Sequence, residues 1–171
     1  LLLLWFLLSR GLHKALSWEF VSQMPREAMT EGGILPAIVG TLLLTAVLAL
    51  AATALGSRST LAVDNNLLAV RTAARNFRLN GMKNRILAVQ GRAEAFINHP
   101  ADLLLANIHY DVMRLLVKSA GFLQKKWFIL SGLMRSQAGA IGEQLVRVGS
   151  ILRQQWIGED LWHTFLGMNP Q

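Results

Sequence analysis

The sequence predicts an α/β fold built on a largely parallel sheet and closed by an antiparallel hairpin. Three observations carry that expectation. From residue 57 onward, strand-like and helix-like stretches alternate, the pattern of a parallel sheet covered on both faces. Asp64 closes an apolar run, Ser59-Thr-Leu-Ala-Val-Asp64, and a long helix-like stretch follows at once. A carboxylate at the end of a strand that feeds a helix is where doubly wound folds hold the hydroxyls of a ribose. The chain then ends on two alternating runs, Ile151–Ile157 and Leu161–Leu166, turning at Gly158-Glu159-Asp160.

With 171 residues, 53% of them hydrophobic, the chain can bury one core of ordinary size, or a smaller core beside a membrane segment. Residues 1–56 carry three basic and three acidic side chains, whereas residues 57–171 carry fourteen and seven, and so hold the whole +7. A basic part of this kind suits an anionic partner such as RNA, a ribosome surface or anionic lipid, or is simply a solvated basic surface. The absence of Cys excludes disulfides and thiolate metal sites. The chain opens on Leu rather than Met, as a fragment or a processed product would.

Taken in order, Leu1–Leu8 is apolar but too short to span a bilayer, except as the cut end of a longer helix. Residues 34–55 carry no charge and are long enough to span, with Arg58 on the C-terminal side. In the competing reading Ile34–Val39 is a buried central strand and Thr41–Leu55 the helix after it, with Gly40-Thr41 as the turn. Pro36 argues against a central strand. The signals downstream require a first strand, and on that ground the expectation is a strand at 34–39. Leu61–Val63 follows as a short strand. Leu67–Leu79 is an amphipathic helix with Val70, Ala74 and Phe77 on one face, Arg71, Arg75 and Arg78 on another, and Asn80-Gly81 as its stop. Next come strands at Ile86–Val89 and Asp102–Ala106, a helix at Tyr110–Lys118, a strand at Lys125–Leu130 ending at Ser131-Gly132, and a helix at Ser136–Val148. The closing strand should show Trp162, Thr164 and Leu166 on one face and His163 and Phe165 on the other.

Ala62-Val-Asp64-Asn-Asn-Leu-Leu-Ala-Val-Arg-Thr-Ala-Ala-Arg-Asn76, Leu103-Leu-Leu-Ala-Asn107-Ile108 and Trp127-Phe-Ile-Leu-Ser131-Gly132 occur in this order. Over about residues 48–168 they resemble three motifs of class I S-adenosylmethionine-dependent methyltransferases, specifically those that modify a ribosomal protein. The resemblance implies an incomplete Rossmann-like class I methyltransferase sheet with a C-terminal antiparallel hairpin, preceded by an apolar helical N-terminal segment. It implies methyl transfer from S-adenosylmethionine to an amine of a protein substrate, ribosomal in type, in the cytoplasm. By the same resemblance Asp64 holds the ribose, Asn107 lines the methyl-transfer pocket as catalytic and cofactor-binding residue, Glu94 stands displaced toward the adenine amine, and Gly40 is what remains of a glycine-rich loop. Leucines 42–44 follow Gly40 where bare backbone is expected, so cofactor binding should be poor and activity lost with it.

The first 45 residues resemble something else. Ser17-Trp-Glu-Phe20 and Met24-Pro-Arg-Glu-Ala-Met-Thr-Glu-Gly-Gly33, running on to Thr41-Leu-Leu-Leu44, are similar to the permease subunit of a phosphate ABC transporter. The two resemblances meet near Gly40-Thr41, which implies a chimera: residues 1–33 permease-like, residues 34–171 methyltransferase-like. The alternative function is then a membrane-embedded permease fragment in the inner membrane, associated through its N-terminal half by a helix over 34–55.

Other readings stand beside these. Asp64 could be a helix N-cap, and Asn107 could satisfy turn amides. The arginine row on 71, 75 and 78 reads as a solvated face. His109 and Tyr110 sit where they could line a substrate pocket. Trp127, Trp156 and Trp162 read as core. The four histidines lack ligand spacing, so no metal is expected.

Overall fold

The computed structural model describes residues 35–158 and 161–170, with side chains from Thr45 onward. The expectations placed on Leu1–Leu8, on the permease-like residues 1–33 and on the turn at Glu159-Asp160 lie outside the described residues. The described chain divides into two compact units: one holds the chain up to Ala62 together with Asn66–Ala88, the other Val63–Asn65 together with Val89 onward.

The first unit corrects the sequence reading at its start. Helix α1 runs unbroken over Leu35–Ala54, so the strand expected at Ile34–Val39 is helix at residues 35–39, Ile34 lying outside the described residues, and Gly40-Thr41 is not a turn. A short apolar run does not separate a buried strand from a buried helix by its periodicity. Pro36 decides against the strand: in a helix's first turn its fixed φ is tolerated and its missing N–H would have no partner anyway, whereas a central strand would lose a ladder hydrogen bond. The helix crosses Gly40 at a cost of about 1 kcal/mol. Where its side chains are described, Ala46, Ala49 and Thr53 are buried, and the two alanines share a core with Ala62, Ala73, Phe77 and Ile86. Among the described residues no helix is long and apolar enough to cross a membrane. Arg85 closes the C-terminal end of α1, its Nη2 donating to Thr53 O at 3.1 Å and Ser57 O at 2.6 Å, where a cation also meets the negative end of the helix dipole.

Strand β1 is Thr60–Asp64, helix α2 Leu67–Leu79 and strand β2 Ile86–Gln90, all close to the predicted ranges. Thr60 N–H donates to Arg85 O at one end and Gly91 N–H to Asp64 O at the other, so β1 and β2 run in the same direction. Helix α2 buries Ala69, Val70, Ala73 and Phe77 and leaves Arg71, Arg75 and Arg78 exposed. It stops through Gly81 at φ +69°, with Met82 N–H bonded to Phe77 O at 2.8 Å and Gly81 N–H to Arg78 O at 3.1 Å. That pairing is a Schellman ending, and Met82 packs back on the cluster that contains Phe77.

The second unit carries short helix α3 (Ala93–Phe96), β3 (Leu103–Asn107), α4 (Tyr110–Leu116), short helix α5 (Ala120–Leu123), β4 (Trp127–Met134), α6 (Arg135–Arg147), β5 (Ile151–Gly158) and β6 (Trp162–Met168). Its sheet has the order β3-β4-β6-β5, with β3 and β4 parallel and β6 antiparallel to both neighbours. β1 and β2 form a separate two-stranded sheet, and no described strand takes the place predicted for residues 34–39. The core is Phe122, Phe128, Leu130, Leu133, Ile141, Leu145 and Phe165, with Met113 and Val117 beneath them. Along β6, His163 and Phe165 are buried while Trp162, Thr164 and Leu166 are not, as the period of two requires. The tryptophans depart from expectation: Trp127 is only half-buried, and Trp156 and Trp162 are 44% and 45% exposed rather than core. Trp162 takes the outward face of β6, and every residue of β5 except Leu152 is exposed, so strand periodicity alone misplaced both.

Candidate functional site

Asp64 and Asn107 each stand at the carboxyl end of a strand, the position where open α/β sheets place their ligands. Asp64 is the last residue of β1, partly buried, and Gly91 N–H donates to its backbone O at 2.9 Å. The cap of α2 is Asn66, whose carboxamide accepts from Leu68 N and Ala69 N. The capping role considered for Asp64 therefore belongs to its neighbour. At the end of β2, Gln90 Nε2 reaches Asn65 O at 3.4 Å, and beyond the strand Arg92 pairs with Glu94 at 2.8 Å. The hydrogen bond from Arg92 holds the Glu94 carboxyl below the usual carboxylate range, so Glu94 is an anion at neutral pH.

Asn107 is the last residue of β3 and is exposed. Parallel pairing sets it beside Ser131, and its carboxamide lies against the bare Cα of Gly132. The turn amides beyond it are met by another residue: His109 caps α4, its Nδ1 accepting from Asp111 N at 3.4 Å. Tyr110 lies under the Arg114 guanidinium, 5.9 Å from ring centroid to Cζ. Neither residue is brought to Asn107 by these contacts. Asp64, Glu94 and Asn107 all fall in the second unit; Gly40 lies inside α1, in the first. The described residues offer a carboxylate at the end of β1, a second carboxylate after β2, and a carboxamide at the end of β3.

Two features were not found from sequence. One is the Gly132 contact, which needed the strand register. The other is Lys125, 3% exposed, whose ammonium donates to Ile97 O and His99 O at 2.7 Å each and ties the loop before β3 to the start of β4. A cavity of about 390 Å³ beside it, lined by Pro100, Ala101, Asp102, Gln124 and Lys125, opens at the opposite end of the strands from Asn107. Among the described residues no three His, Asp or Glu side chains come together to hold a metal.

Comparison with known proteins follows this geometry. The family model described as ribosomal protein L11 methyltransferase (PrmA) matches residues 40–169. A protein named ribosomal protein L11 methyltransferase from Enterococcus faecalis is 29% identical over 147 residues, covering 85% of this chain and 46% of the relative. Its namesake from Pelotomaculum thermopropionicum is 37% identical over 97 residues, 56% of this chain and 32% of the relative. The chain thus spans less than half the length of the curated relatives it matches. Among solved structures, the ribosomal protein L11 methylase of Lactobacillus delbrueckii subsp. bulgaricus superposes with TM-score 0.60 at 22% identity, over 74% of this chain and 66% of that one. The m1A22 tRNA methyltransferase of B. subtilis gives TM-score 0.60 at 16% identity, over 74% and 57%. These likenesses show the fold. They give no support to a permease segment or to a fusion near Gly40-Thr41. The chain belongs to the ribosomal protein L11 methyltransferase family.

Proposed function

We propose that the chain is an S-adenosylmethionine-dependent methyltransferase acting on an amine of a protein, with ribosomal protein L11 as the acceptor to try first. The observation that carries this is the placement of Asp64 and Asn107 at the carboxyl ends of β1 and β3, both in one compact unit, in a chain of this family. The residues present fit the cofactor at its ribose and methyl ends. A carboxylate accepts hydrogen bonds from two adjacent hydroxyls, and Asp64 would hold the ribose in this way. Glu94 keeps one carboxylate oxygen beyond its bond to Arg92 and would accept from the adenine amine. When bound, the cofactor supplies an electrophilic methyl on a sulfonium.

Asn107 would line the cofactor at its methyl end, and through Oδ1 would accept a hydrogen bond from the target amine and so aim its lone pair, a contribution of positioning rather than covalent chemistry. For the methionine end no glycine-rich loop is found among the described residues, since α1 runs unbroken through Gly40. Affinity should be correspondingly low. Calorimetric titration with S-adenosylmethionine tests the reading. The wild-type chain should bind, and Asp64→Ala should weaken binding by about 1–3 kcal/mol, the scale for bonds to a charged group. A chain that does not bind, or binding indifferent to Asp64→Ala, would overturn it. Transfer of a labelled methyl to purified ribosomal protein L11 tests the acceptor.

A further inference from the structure

We propose that the Ser131-Gly132 bulge of β4 is a positioning device for the Asn107 carboxamide, acting through Gly132. The inference rests on the reading of Asn107 given above. Between β4 and β6 the pairing passes from Leu130↔Phe165 to Leu133↔His163, so Ser131 and Gly132 together oppose Thr164 alone. Two residues against one is a β-bulge, a feature found beside active sites where it re-aims side chains. The bulge is pinned, Ser131 Oγ and Thr164 Oγ1 sharing a hydrogen bond of 2.7 Å. Gly132 takes φ +80°, a conformation that L side chains rarely adopt.

The consequence falls on Asn107. A methyl group added at Gly132 would overlap Asn107 Oδ1 and stand 3.3 Å from its Cγ and 3.8 Å from its Nδ2. The carboxamide therefore rests in space that only glycine leaves open. An Asn side chain turns freely about its last torsion, a broad two-fold well. The Gly132 surface limits that freedom on one side, and the hydroxyl pair holds the surface in place. The bulge thus joins β6, through Thr164, to the polar group at the end of β3. Gly132 touches neither cofactor nor acceptor in this scheme; it acts through Asn107.

A double-mutant cycle read by S-adenosylmethionine titration separates this role from a merely conformational one. Gly132→Ala should weaken binding about 10-fold, Asn107→Ala should weaken it comparably, and the double variant should bind like Asn107→Ala alone. The side-chain amide signals of Asn107 in a 15N–1H spectrum should shift on cofactor addition in the wild type and fail to shift in Gly132→Ala. Should Gly132→Ala not fold, Thr164→Val serves in its place: it unpins the bulge while leaving the glycine, and its loss of binding should likewise vanish in the Asn107→Ala background.

Losses that add across the cycle would overturn the proposal, as would Asn107→Ala binding like the wild type or an indifferent Thr164→Val. A wild-type chain that does not bind S-adenosylmethionine would instead remove the functional reading, and this role with it.

Discussion

Lys125→Met is the sharpest test of how the second unit is held together. Met keeps the length of the stem and removes the ammonium, which donates to Ile97 O and His99 O at 2.7 Å each. Two bonds from a charged donor are worth roughly 1.5–3 kcal/mol apiece against leaving the carbonyls unpaired. Part of that is returned, because an amine that is 3% exposed no longer has to be held away from water. A net loss of about 2–4 kcal/mol follows, which in a chain of this size lowers Tm by about 5–15 °C. Circular-dichroism melts of the two proteins measure it.

The pH dependence gives an independent sign. Burial pushes the Lys125 ammonium below the usual lysine range. Between that lowered value and the unfolded value of about 10.4, the unfolded chain holds a proton that the folded chain has shed. Stability contributed by this group therefore rises with pH through that window, is complete above it, and is lost as pH falls through the folded value. The neutral amine still has two N–H donors for its two carbonyls. Lys125→Met should lack the rise. A variant as stable as the wild type, or one with the same slope, would refute the account.

Two further perturbations probe each unit separately. Asn169 is fully buried, accepts from Ser150 Oγ at 2.6 Å and donates to Phe122 O and Lys125 O at 2.7 and 2.9 Å. Asn169→Ala should cost about 2–4 kcal/mol in urea unfolding by stranding both carbonyls, and a change under about 0.5 kcal/mol would show that water replaces the amide. In the first unit, Phe77 is 2% exposed and Leu79, two residues on, is 74% exposed. Phe77→Ala should cost about 3–5 kcal/mol and Leu79→Ala under about 0.5 kcal/mol. Similar losses at the two positions would mean that α2 does not bury the face described.

Much of the fold was legible because its signals are local. The range of α2 follows from an apolar face spaced at 3.6 residues and a stop at Asn80-Gly81. The alternation in β6 follows from the period of two, and β3 and β4 from compact β-rich runs. What failed was the segment whose pattern has no period: residues 34–39 are apolar throughout, so the decision fell to an argument about what a sheet needs, and Pro36 carried the better information. The short helices α3 and α5 were missed for a related reason. Four residues hold too little periodicity to register, and Ser119, which caps α5 through Phe122 N at 3.1 Å, signals only a turn when read alone.

The site divides along the same line. The positions of Asp64 and Asn107 at strand ends were legible because each ends an apolar run, and the end of a parallel strand is a position that sequence can mark. Which side chain meets which is a different kind of fact. Asn107 reaches Gly132 only because β3 and β4 pair in the register that sets Leu103 beside Trp127, and a slip of one residue would turn every side chain of the strand to the other face. That register depends on the core under it, Phe122 against Phe128 at 5.1 Å and Ala106 and Leu130 buried side by side in the pairing. The polar group at the end of β3 is therefore placed by apolar packing several residues away. Substitutions in that packing should reach Asn107 through register rather than through contact.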